Sequence, residues 1–231
     1  MADDTTLAVS CKNIKKSFGE GSSRVDALRG IDLEVRKGEL LMLMGPSGSG
    51  KTTLISIISG ILTQDSGECL VSNIDLNHMR EPDKTRYRGR HVGFVFQIFN
   101  LIPSLTCKEN VAIPLLLHGL DQKSAMYQAE EILQKVDIPE KINSFPKDLS
   151  GGQQQRVAIA RSMIHKPDLI VCDEPTSFLD HETGMKVMEL LRSIVREYGT
   201  TLIVVTHDVR IVHFADRIAQ LEDGRIVNST G

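Results

Sequence analysis

Short continuous apolar runs alternate with stretches of helical period along most of the chain. Leu40–Met44, Val92–Phe96, Leu169–Cys172 and Leu202–Val205 have strand length and no polar alternation, the pattern of strands covered on both faces. Between them Thr53–Ser59, Gly151–Ile164 and Glu182–Glu197 carry helical patterns; the first stops at Gly60, a residue suited to a helix C-terminus. Strands alternating with helices predict an α/β fold with a mostly parallel sheet.

Two regions break that rhythm. Leu7–Ile14 and Val25–Val35 read as antiparallel strands joined by the Gly19–Ser23 loop. Residues 98–149 are mostly helical in pattern, with Gln122–Val136 the clearest helix and Pro103, Pro114, Pro139 and Pro146 as punctuation. We expect one domain over 1–231: an α/β core from 1–97 and 150–231, including the antiparallel β-subdomain, and a helical subdomain inserted at 98–149. Arg217–Leu221 and Arg225–Val227, separated by Asp223-Gly224, predict a terminal hairpin.

Composition narrows the class. The chain is 41% hydrophobic and 25% charged, ordinary for a globular domain. Lys and Arg total 27 against 30 Asp and Glu, giving net charge −3, so no electrostatic reason exists to expect nucleic acid as a partner. Cys11, Cys69, Cys107 and Cys172 form no short pair and read as reduced structural thiols. Met1–Thr6 is polar and acidic, so no secretory leader is expected. Runs such as Ile113–Leu117 are strand- or turn-sized, well short of the ~18–20 apolar residues a spanning helix needs. Any membrane component must come from another chain.

The chemistry begins at Gly45-Pro46-Ser47-Gly48-Ser49-Gly50-Lys51-Thr52, which fits G-x-x-x-x-G-K-[ST] between a buried strand and a helix. The glycines let several backbone N–H groups point into one hollow, and the following helix aims its positive end there. Lys51 is suited to the β and γ phosphates of ATP and the Thr52 hydroxyl to Mg²⁺; Thr53 completes the cofactor-binding set. Asp173 closes an apolar strand and is suited to hold Mg²⁺. Glu174, the next residue, is suited to orient or deprotonate the attacking water. These motifs predict a P-loop NTPase core.

Leu149-Ser150-Gly151-Gly152-Gln153 precedes a helix continuing through Arg156 to Arg161. With the two nucleotide motifs, in this order, the chain resembles ATP-binding cassette proteins along essentially its whole length. The resemblance implies an ATPase that pairs head to tail, with Ser150, Gly151, Gly152 and Gln153 closing over ATP bound to the other copy. It implies that Gln97 senses metal and partner, that His207 contacts the γ-phosphate, that Asp180 communicates across the dimer and that Phe18 stacks on adenine. For Phe18, core packing is the competing reading. Phe178 is bulkier than the residue usual at its position and is expected near the dimer seam. Arg90–Gln97, Phe99–Pro103, Leu105-Thr106 and Glu109–Val111 are similar to the lipoprotein-release and macrolide-efflux group. That similarity implies permease subunits docking at 97–106, on the cytoplasmic face of the inner or plasma membrane. Ser177 leans instead toward amino-acid importers, which leaves the direction of transport open. Soluble non-transport cassettes usually carry a long coiled coil or two cassettes, and neither pattern is present; a small-molecule kinase would lack the Ser150–Gln153 motif.

Overall fold

In the computed structural model, residues 7–230 are described; Met1–Thr6 and Gly231 lie outside them. An antiparallel sheet forms from β1 (Leu7–Phe18), β2 (Val25–Arg36), β4 (Ser66–Val71) and β5 (Ile74–Asp75) in the order β2-β1-β4-β5. The second sheet comprises β3 (Leu40–Met44), β6 (Val92–Val95), β7 (Leu169–Asp173), β8 (Thr201–Thr206), β9 (Arg217–Glu222) and β10 (Arg225–Thr230). Its order is β10-β9-β3-β8-β7-β6, parallel from β9 to β6, with β10 returning antiparallel as the predicted hairpin.

The helices are α1 (Lys51–Ile58), α2 (Glu81–His91), α3 (Cys107–Leu117), α4 (Gln122–Lys135), α5 (Gly151–Met163) and α6 (His181–Tyr198). Side-chain parity explains why the central strands are apolar throughout. Leu40, Met42, Ile170, Cys172, Leu202 and Val204 point into a core shared with α3, α4, α5 and α6. Leu41, Leu43, Leu169, Val171, Ile203 and Val205 face the opposite way, onto α1 and the antiparallel sheet. Neither face meets water, so no position can be polar without a partner.

Several boundaries differ from expectation. Ile113–Leu117 is not a separate turn or strand but the last part of α3. A capping box at Thr106 and Glu109 starts that helix, and Pro114 sits far enough along it for the chain to continue only to Leu117. The Gly19–Ser23 loop contains a single 3₁₀ turn, Gly21–Ser23. β6 ends at Val95, so Gln97 lies two residues past the strand rather than at its end. Cys11 and Cys69 turn out to be register partners across β1 and β4, with sulfurs 3.6 Å apart; all four thiols are buried and free. Among the described residues no helix is long and apolar enough to cross a membrane.

Candidate active site

The parallel strands bring their carboxyl ends to one edge, where ligands of open α/β sheets bind. In register, Met44 of β3 lies beside Thr206 of β8, and Asp173 of β7 beside Val205. The chain leaves β3 into Gly45–Gly50, leaves β7 into Glu174 and leaves β8 into His207. A cavity of about 670 Å³ opens at this edge. The phosphate loop and α1 line it with Pro46, Ser47, Gly48, Gly50, Lys51, Thr52 and Thr53. Gln97, Asp173, Glu174 and His207 line the facing side, and Phe18 stands at the rim. A larger groove, about 1200 Å³, runs along α4 and holds none of the motif residues; chemistry, not size, marks the site.

The loop's glycines are required by close approach. A Cβ on Gly45 would lie 2.0 Å from the Leu221 carbonyl oxygen, and one on Gly50 2.5 Å from that of Ala27, each residue also holding a positive φ. The hairpin clamps the loop further, since the Gly224 amide donates to the Ser49 carbonyl at 3.1 Å. Gly45 and Ser49 thus support the loop from behind rather than line the cavity.

Lys51 is buried, and its Nζ donates to the carbonyls of Gly45 (2.8 Å) and Pro46 (2.7 Å). Burial lowers its pKa, against the raising influence of Glu174 and Asp173. Thr52 Oγ1 donates to Asp173 Oδ2 at 3.1 Å. Burial raises the Asp173 pKa, with the Thr52 hydrogen bond opposing it. A hydroxyl, a carboxylate and the Gln97 amide around one cavity are hard oxygen donors, which fits Mg²⁺ held jointly with substrate phosphates. Among the described residues no cluster of three His, Cys, Asp or Glu offers a rival all-protein metal site.

Glu174 has φ +48°, an uncommon conformation for a non-glycine residue, and its amide donates to the Val205 carbonyl at 2.9 Å. His207 Nδ1 donates to Glu174 Oε1 at 2.7 Å. Phe18, at the end of β1, is 45% exposed rather than packed in the core, and Lys16 Nζ lies 5.7 Å from the centroid of its ring.

Ser150, Gly151, Gly152, Gln153 and Asp180 are not among the residues lining the cavity. Ser150 caps α5 in a reciprocal box with Gln153, and Asp180 caps α6 through the Thr183 amide. These two helix starts adjoin: a Cβ on Gly152 would meet Thr183 Cγ2 at 2.3 Å. Phe178, beside them, is 60% exposed. The sequence reading missed Ala27 and Val205 in the cavity wall, and gave no role to Arg161. The first two contribute as backbone or apolar wall and carry no motif signal.

Comparison with known proteins agrees with this geometry. The profile of the ABC transporter family matches residues 28–177. The uncharacterized ABC transporter ATP-binding protein YbbA of Escherichia coli K12 is 42% identical over 218 residues, 94% of this chain and 96% of that protein. The lipoprotein-releasing system ATP-binding protein LolD of Pseudoalteromonas translucida is 38% identical, covering 95% of both chains. Among solved structures, a post-hydrolysis dimer of the ATP-binding cassette MJ0796 with ADP and Pi superposes with TM-score 0.89 at 40% identity, covering 96% of this chain and 97% of that one; MJ0796 comes from Methanocaldococcus jannaschii. The chain belongs to the ABC transporter family, as one of its ATP-hydrolysing cassettes.

Proposed function

We propose that two copies of this chain pair head to tail, each binding Mg·ATP at its own phosphate loop and closing the other's with Ser150–Gln153. One observation carries the reading: Lys51, Asp173, Glu174 and His207 share a cavity that Ser150–Gln153 cap from nowhere within the same chain. The dimer of the relative MJ0796 with ADP and Pi supports it.

Lys51 exchanges its loop carbonyls for β- and γ-phosphate oxygens. Thr52, Gln97 and Asp173 would hold Mg²⁺, which supplies Lewis-acid neutralisation of phosphate charge. Glu174 polarises the water for in-line attack on the γ-phosphorus; its hydrogen bond to His207 fixes the carboxylate. His207 reaches the γ-phosphate through its other ring nitrogen. Ser150 Oγ and the α5 N-terminus of the second copy complete the anion cradle. Phe18 stacks on adenine, and Asp180 carries the closure across the seam.

Hydrolysis reopens the pair, and the 97–106 region passes the motion to permease subunits on the cytoplasmic face of the inner or plasma membrane. Similarity to LolD favours cargo moved outward or released from the membrane. The direct test is Glu174→Gln. Turnover should fall by at least about 100-fold, and light scattering should detect a dimer only with ATP. Undiminished hydrolysis by that variant removes Glu174 from the reaction.

A further inference from the structure

Arg161 sits about three turns along α5 from Ser150, half-buried. Its Nη1 donates to the Asn100 carbonyl at 2.6 Å and its Nη2 to that of Phe99 at 2.9 Å. Burial lowers its pKa and no carboxylate opposes it. Withdrawing a cation from water without an anion is costly, and two neutral acceptors offset only part of that cost. A purely structural helix position would be filled more cheaply by Met or Leu.

The carbonyls it binds begin two residues after Gln97. Asn100 there holds φ +49°, so the backbone is turned to offer them. The far end of the same segment is gripped by fully buried Asn110 of α3, which accepts from the Ile102 amide at 2.7 Å and donates to the Leu105 carbonyl at 3.0 Å. Phe99 also lies near the start of α5, since a Cβ added on Gly151 would come within 3.8 Å of its ring. The segment therefore bridges the phosphate cavity, through Gln97, and the helix whose N-terminus carries Ser150–Gln153.

We infer that Arg161 is a positioning residue: it fastens the Phe99–Asn100 backbone to α5, holding Gln97 at the phosphate cavity and making it follow α5 when that helix moves. The inference rests on the proposed role of Gln97 in the ATP site. Arg161 itself touches no reacting atom.

The test is a double-mutant cycle in the full chain. Arg161→Met and Arg161→Lys are made alone and with Gln97→Ala, with kcat and KM for ATP measured separately. Arg161→Met should lower kcat about tenfold with KM within about twofold, Arg161→Lys should restore part of the loss, and neither should cost anything more once Gln97 is Ala. Equal losses in both backgrounds, or none while Gln97→Ala alone reduces kcat, overturn the inference. A normal kcat for Gln97→Ala alone overturns the reading of Gln97 and the inference with it. Should Arg161→Met fail to fold, Arg161→Lys carries the cycle, joined by hydrogen exchange. Faster exchange at the amides of 98–102 supports the clasp, and unchanged exchange overturns it.

Discussion

At Asp173 two demands conflict. Burial holds its pKa above the ordinary carboxylate value, yet the metal-binding role proposed for it needs the ionised form. A raised folded pKa means that the folded chain holds the proton more tightly than the unfolded chain. The resulting stability is full below the unfolded pKa near ~3.9 and is lost as pH rises through the folded value. At pH 7 the ionised group therefore costs stability, and Asp173→Asn should raise the melting temperature of the nucleotide-free protein by about 1–3 °C. The gain should vanish near pH 4, and Mg²⁺-dependent turnover should be lost at every pH. A lower melting temperature at pH 7 would mean that the Thr52 hydrogen bond outweighs burial. Residues of this kind were legible in the sequence because phosphate chemistry dictates both type and spacing, as in Gly45–Thr52 and Asp173-Glu174. Phe18 was legible only as an aromatic; its exposure removes core packing and leaves adenine stacking as the proposal. Arg161 was not legible, since its partners are backbone carbonyls that any residue supplies.

Elements were legible where burial leaves a pattern. β3, β7 and β8 are apolar on both faces, and α6 shows a clear buried stripe through Val187, Leu191 and Ile194. α2 left none: Lys84 and Tyr87 are its only buried residues, so no apolar period marks it. The short β5 is likewise held by pairing to β4 rather than by its own side chains. One element contact sets how closely α5 approaches the sheet. A Cβ on Gly93 of β6 would lie 2.2 Å from the Ser162 carbonyl oxygen, a backbone atom that cannot rotate aside. Gly93→Ala should cost about 2–3 kcal/mol in urea unfolding, and Gly119→Ala, where the added methyl meets open space, about 1 kcal/mol from its positive φ alone. Equal costs at the two sites would mean that α5 yields freely.

At the scale of the molecule, the proposed function divides one chemical site between two places. The carboxyl edge of the parallel sheet gathers the phosphate loop with Thr52, Gln97, Asp173 and the Glu174–His207 pair. The starts of α5 and α6 gather Ser150–Gln153 and Asp180 elsewhere on the surface. The antiparallel sheet brings Phe18 to the cavity rim, while α3 and α4 share a continuous core with α5 and so carry the 97–106 segment against it. A single chain on this account binds ATP but lacks the groups that close over the γ-phosphate. The measurement that tests it most directly is the ATPase rate per subunit as a function of protein concentration, at saturating Mg·ATP. In the dilute range the account predicts that rate to rise in proportion to concentration and to level off once dimers form. A rate per subunit that stays constant on dilution, with the protein monomeric, would contradict it.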